Sequence, residues 1–268
     1  MNSKELAWKI RRHGIEMTHI SNGSHIGSVL SIADIVGVLY NDVMNIYPDD
    51  PKNDKRDRFI LSKGHAGAAV YAVLAEKGFF DVEQLKTHYA DGSILSGHVS
   101  HKNVPGVEFS TGSLGHGVCA AAGMTMAAKL DKKSHRIFAI TGDGECDEGS
   151  VWEMALFANH FRLSNLTVIV DHNKIQSLDR CENTLELLDL AAKWRAFGWN
   201  VIEIDGHNHD EIRKALLSKD EIKPTCIIAN TVKGKGISFM EDTVLWHYRA
   251  PQGEDYDNAV KELEEARQ

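Results

Sequence analysis

The sequence predicts an α/β fold, a parallel sheet with helices on both faces. Three observations carry this. The runs "RIFAIT" (136–141), "LTVIVD" (166–171), "NVIEID" (200–205) and "TCIIANT" (225–231) are short, apolar and rich in β-branched residues, as buried strands are. The helical patterns "SVWEMALFANHF", "LELLDLAAKWRAF" and "DEIRKALLS" stand between them. Strand, helix and strand at this spacing require right-handed crossovers, and these make neighbouring strands parallel.

The remaining elements follow in order. "SKELAWKIRRHGIEMTHI" has apolar residues at helical spacing, with a serine in front as its cap. "SIADIVGVLYNDVM" reads as a second helix, "DRFILS" as a short strand, "AGAAVYAVLAEKG" as a small-residue helix and "DVEQLKTHY" as a brief one. Residues 90–117, "ADGSILSGHVSHKNVPGVEFSTGSLGHG", follow neither the helical nor the strand period. So long a structureless run inside a compact domain is usually functional. "VCAAAGMTMAAKL" returns to helix, and "DYDNAVKELEEARQ" forms a charged helix at the edge. No repeat or flexible linker interrupts the chain, so residues 1–268 are expected to form a single domain.

Composition excludes several classes. The 268 residues are 43% apolar, enough for a real core. Net charge is −8 with no block of Lys or Arg, which argues against a nucleic-acid groove. Four scattered cysteines, Cys119, Cys146, Cys181 and Cys226, form no C-x-x-C pair. They read as buried thiols in a reducing compartment and suggest no zinc site. The N-terminus lacks a signal-peptide core, and no apolar run approaches the roughly 20 residues that span a bilayer. A cytoplasmic protein with no membrane partner is expected.

"TGDGECDEGSVWE" (141–153) places a carboxylate between two glycines at the end of an apolar strand. In an open parallel sheet, ligands bind beyond the carboxyl ends of the strands. Asp143 lies at one such end and Asn173 just past the next. A carboxylate, an amide carbonyl and backbone carbonyls are hard oxygen ligands suited to Mg²⁺ or Ca²⁺. Ser150 and Glu153 form an S-x-x-E capping box, so a helix should begin near Val151 and aim its amides at an anion. Gly142 and Gly144 allow a sharp turn and close approach. The occupant expected here is a diphosphate held through a metal.

Strand, Gly-Asp-Gly, capped helix, strand and then "DHNK" is the pattern of the diphosphate-binding half of thiamine diphosphate enzymes, and the chain resembles the N-terminal half of a transketolase over essentially its whole length. "SNGSHIGSVLS", "DRFILSKGHAGAAVYAVLAEKG", "LSGHVSHKNVPGVEFSTGSLGHG", "GDGECDEGSVWEMALFANHFRLSNLTVIVDHNKIQ" and "NTVKGKGISFMEDTVLWHYRAP" match the family's motifs in order. The resemblance implies a thiamine diphosphate-binding fold and transfer of a two-carbon ketol unit from a ketose, phosphorylated in the usual case, to an aldehyde acceptor. It implies Mg²⁺, with Ca²⁺ or Mn²⁺ able to substitute, held by the side chains of Asp143 and Asn173 and the carbonyl of Ile175. Gly144 and His247 should lie against the diphosphate, Gly142, Glu145 and His65 should also bind the cofactor, and Gly112 and Leu114 should meet its aminopyrimidine end. His25, His65, His98 and His247 should line the substrate channel and move protons, a task suited to a side chain that titrates near neutral pH. Glu148 matches an acidic residue that links paired active sites.

The sequence also departs from the family. Ser24-His25-Ile26-Gly27 replaces Gly-His-Pro-Gly, which should loosen that loop. Tyr89 stands near the place of a phosphate-reading arginine, and His116 where glutamine is common. Lys233 and Lys235 suit either a phosphate or a solvated loop, and His13, His101, His207 and His209 read as solvent-facing. Full-length transketolases continue into pyrimidine-binding and C-terminal domains. These are expected on a second polypeptide, in an α₂β₂ assembly with shared sites. Rival readings are the α subunit of a 2-oxo acid dehydrogenase, a deoxyxylulose phosphate synthase relative, and a non-catalytic binding partner.

Overall fold

The structure, a computed structural model, describes residues 1–218 and 220–267. Helix α1 (Ser3–Ser21) is capped by Asn2, whose side chain accepts from the Glu5 amide. Ser3, the expected cap, is buried as the first helical residue. The expected second helix starts earlier and is broken. Helix α2 (Ile26–Ser31) ends at Ile32, α3 (Ala33–Val38) follows, and a π turn (Leu39–Val43) closes the segment. Strand β1 (Arg58–Leu61) leads to α4 (Gly67–Glu76), and "DVEQLKTHY" forms a 3₁₀ turn (Val82–Thr87). Residues 90–115 contain no helix or strand, as expected.

Then come α5 (His116–Leu130), β2 (Ile137–Gly142), α6 (Gly149–His160), β3 (Leu166–His172), α7 (Cys181–Thr184), α8 (Leu190–Ala196), β4 (Asn200–Asp205), α9 (His209–Leu217), β5 (Thr225–Asn230) and α10 (Glu254–Ala266). "LELLDLAAKWRAF" is therefore not one helix. Leu188 adopts a left-handed φ of 50°, and the Asp189 side chain caps a fresh helix by accepting from Ala192 N. No described helix is long and apolar enough to cross a membrane.

The five strands are all parallel, in the order β1-β2-β3-β5-β4. Successive side chains of a strand point to opposite faces. Phe138, Ile140, Ile169, Ile227 and Ala229 pack with α1, α3, α4 and α9, whereas Ile137, Ala139, Val168, Val170 and Ile228 pack with α5, α6 and α8. Both faces are thus covered, which explains the continuous apolar runs. The parallel register brings the carboxyl ends of β1, β2, β3 and β5 to one edge. The segments that leave this edge carry the candidate residues.

Candidate functional site

Four segments converge there. The turn after β1 carries Lys63 and His65, the turn after β2 Asp143 to Glu145, the turn after β3 Asn173 to Gln176, and the loop after β5 Lys233 and, further on, His247. With His25, His98, Gly112, Leu114 and Gly142 they line a cleft of about 230 Å³. The cleft is smaller than the roughly 300–1,000 Å³ of pockets that enclose a drug-sized ligand. A larger hollow, about 730 Å³, lies at the opposite ends of the strands between residues such as Arg136, Arg162 and Thr225, and holds none of these groups.

All four expected histidines meet. His25 is central, with ring centroids 5.1 Å from His65, 5.4 Å from His98 and 4.9 Å from His247. Its backbone has a left-handed φ of 76°, and its amide donates to the His247 carbonyl at 2.6 Å. Ile26 is fully buried beside it. Ile26 and the His25 amide thus hold this loop against the core and against the segment of His247. Burial, then the neighbouring His98 and lysines 233 and 63, lowers the His25 pKa to about 4. Burial and then Lys233 lower that of His247 to about 3. Burial first, with Lys63 next, holds His65 well below the usual range, and burial lowers His98. The cluster is neutral at pH 7. The Lys233 ammonium donates to His247 Nδ1 at 2.9 Å, which leaves the ring's proton on Nε2 as a donor.

Asp143 is buried, and its carboxylate accepts from two backbone amides, Gly144 at 2.7 Å and Lys174 at 2.5 Å. Burial, then the nearby Asp171, raises its pKa. The Cys181 thiol beside it is pushed up to about 12, mainly by burial and then by Asp143, so it stays protonated. Asn173 turns its carbonyl to the Ile175 amide at 3.1 Å. The Ile175 carbonyl accepts from Lys233 Nζ at 3.0 Å, as does that of Gln176. These donors fit a hard divalent cation. All are oxygens, one is a buried carboxylate under-compensated for charge, and a side-chain cation already rests on the third.

Glu145 ties the site together. Its carboxylate accepts from Gly115 N at 2.8 Å, from Ser62 Oγ and from Gly142 N at 3.2 Å, locking the 112–115 loop to the end of β2. The capping box does not form. Helix α6 begins at Gly149 with no side-chain cap, and Ser150 Oγ instead donates to the Gly115 carbonyl at 3.3 Å. Glu148 is exposed and outside the cleft. Tyr89 is 62% exposed, and His116 and His101 are exposed. His13 pairs with Glu76. His207 and His209 are not solvent-facing, because both are drawn onto Asp34.

Sequence reasoning missed Lys63 and Asp171 and left Lys233 open. Lys63 and Lys233 are 2% and 1% exposed. Burial and then Lys63 lower the Lys233 pKa to about 8. Lys63 sits two residues before a motif histidine, but its partner Asp171 is 108 residues away in sequence and gives no local signal.

A sequence model of the family "Transketolase, thiamine diphosphate binding domain" matches residues 2–264. One of the subunits of the apulose-4-phosphate transketolase of Phocaeicola vulgatus is 42% identical over 259 residues, covering 96% of this chain and 92% of that protein. The 6-deoxy-6-sulfo-D-fructose transketolase subunit SqwG of a Clostridium species is 44% identical over 242 residues, 90% of this chain and 88% of that protein. Transketolase of Homo sapiens is 40% identical over 91% of this chain but only 39% of its own length. The crystal structure of transketolase from Campylobacter jejuni superposes with a TM-score of 0.92 at 32% identity, covering 98% of this chain and 43% of that one.

Proposed function

Because the chain belongs to the transketolase family, in its thiamine diphosphate-binding domain, we propose that it is the N-terminal subunit of a two-subunit transketolase. It transfers a two-carbon ketol unit from a ketose, a sugar phosphate in this reading, to an aldehyde acceptor. The partner subunit carries the pyrimidine-binding and C-terminal domains, and the two assemble as α₂β₂. The observation that carries the reading is the open cleft in which Asp143, Asn173 and the Ile175 carbonyl face four clustered histidines. The near-complete cover of relatives named as subunits supports a partner.

Asp143, Asn173 and Ile175 would hold Mg²⁺, with Gly142 and Gly144 letting the diphosphate approach and Lys233 neutralising it. Gly112 and Leu114, which also line the cleft, would meet the aminopyrimidine end through backbone groups. The bound cofactor supplies stabilisation of carbanion character. This chain supplies proton handling and orientation. His25, His65 and His98 are neutral bases for hydroxyl protons, and His247 Nε2–H is a fixed donor. A positioned acid or base contributes about 10²–10⁴ in rate. Glu148, exposed just before α6, would couple paired sites across a contact with another subunit.

Tyr89 is exposed and does not line the cleft, so an anionic substrate tail would be read by an arginine from elsewhere, or the substrate differs there. The family assignment favours ketol transfer over the dehydrogenase and synthase readings. The test is ketol transfer with purified chains. Activity is expected from this chain with its partner and not from this chain alone. Full activity of the complex with Asp143→Ala would refute the site and leave only a non-catalytic role.

A further inference from the structure

Behind the oxygen ligands lies a second carboxylate. Asp171, the penultimate residue of β3, has no exposed surface. Four donors converge on it. Ser31 Oγ, at 2.6 Å, and Thr231 Oγ1 approach Oδ1, and Lys63 Nζ and Asn173 Nδ2, the latter at 2.9 Å, approach Oδ2. They come from the end of α2, the loop after β5, the turn after β1 and the turn after β3. Every approach is by a donor, and the carboxylate answers as acceptor only.

That one-sidedness fixes the polarity of Asn173. An asparagine amide has two nearly isosteric ends, and only its surroundings decide which is oxygen. Here the NH₂ group spends its protons on Asp171 Oδ2 and, at 3.4 Å, on Ser31 Oγ. The carbonyl accepts from Ile175 N at 3.1 Å and keeps a second lone pair. Turned over, the amide would set its oxygen against a carboxylate and its NH₂ against an N–H. Both contacts are repulsive.

We propose that Asp171, neutralised by Lys63, is a positioning residue that holds the Asn173 carbonyl toward the cleft and so creates the second oxygen ligand of the metal. The inference rests on the metal-site reading above. It also explains why a lysine is buried next to a cation site: Lys63 is spent on Asp171, so the ligand side keeps the single negative charge of Asp143.

The test is titration of Mn²⁺, followed by the paramagnetic resonance of the free ion, into the complex of this chain, its partner subunit and thiamine diphosphate. The first variant is the double replacement Lys63→Met with Asp171→Leu, which removes the pair without stranding a charge. Loss of the Lys63 charge alone would favour a cation, so weaker binding reports on Asp171. The complex should stay folded by circular dichroism and bind Mn²⁺ about 10–100-fold more weakly, the range for outer-shell partners of metal ligands. Excess Mn²⁺ should still saturate one site per chain in this variant, which a general structural fault would not allow. If the double variant fails to fold, Asp171→Asn replaces it. An amide there presents NH₂ as readily as oxygen, and weakening at the low end, about tenfold, is expected. Wild-type Mn²⁺ affinity in the folded variant tested overturns the proposal. Asp143→Ala separates the two readings: if it abolishes Mn²⁺ binding while the Asp171 variant keeps it, only the positioning role fails. If Asp143→Ala also binds Mn²⁺ normally, the metal site itself is wrong.

Discussion

Asp34 and Asp143 are both buried carboxylates, 7% and 3% exposed, yet the chain treats them in opposite ways. Asp34 receives both Nη atoms of Arg11, at 3.0 and 2.6 Å, with His207 at 2.8 Å and His209 at 3.1 Å. Burial alone would raise its pKa, but the Arg11 charge and then the histidine hydrogen bonds hold it well below the usual range. Asp143 has two backbone amides and no described cationic side chain within ion-pair distance, and its pKa is raised. The fold saturates one carboxylate from within. It leaves the other without a cationic partner, a difference that accords with the proposed metal site.

The largest effect expected is at Asp34. Asp34→Ala strands a buried guanidinium and should cost about 3–5 kcal/mol in urea unfolding of the chain. A loss below 1 kcal/mol would erase the contrast. At Asp143 the expectation reverses. Asp143→Ala should leave the metal-free chain as stable as before or more so. It should also abolish the stabilisation by Mg²⁺ and thiamine diphosphate in the partnered complex, about 2.7 kcal/mol at ligand near 100 times Kd. Thermal unfolding with and without ligands reads both arms.

A smaller, signed effect comes from pH. The Asp143 pKa is higher in the folded than in the unfolded chain, so its contribution to stability is complete below the ordinary value of 3.8 and is lost as pH rises through the raised value. Asp34 and Asp171 are lowered, so their contributions are present above 3.8 and lost as pH falls through the folded values. Asp143→Asn should remove the first trend alone, and Mg²⁺ affinity in the wild type should climb as Asp143 deprotonates. The neutral histidines add a loss of stability as pH falls from 6.5 toward about 4 for His25 and about 3 for His247. His247→Phe should flatten that slope in unfolding measured at stepped pH. The smallest effect is at exposed Glu148: Glu148→Gln should shift stability by less than about 0.5 kcal/mol.

The same contrast explains what the sequence revealed. β-Branched runs located the strands to within a residue or so, because β1, β2, β3 and β5 are buried along most of their length, while the half-exposed edge strand β4 keeps Val201, Ile202 and Ile204 beside Glu203 and Asp205. Asp143, Asn173 and His65 were legible because each follows a strand end in a local motif, and His25, His98 and His247 because each sits in a motif of its own in a loop or turn. Lys63, Asp171 and the Asp34 cluster were not. A lone lysine or a polar "DGHNHDE" stretch reads as solvated, and the partner that buries it arrives from 108 residues away for Lys63 and 173 for His207. Helix boundaries failed where side chains were diverted. Ser150 turned to Gly115 instead of capping α6, and Asp189 capped a new helix inside an apparently continuous one.

The central claim is that Asp143 awaits a divalent cation carried with a diphosphate. It is tested most directly by calorimetric titration of Mg²⁺ and thiamine diphosphate into the chain joined with its partner subunit. One metal ion should bind per chain, more tightly as pH rises, and Asp143→Ala should bind none. Equal binding by wild type and Asp143→Ala, or no binding by either, would contradict the account.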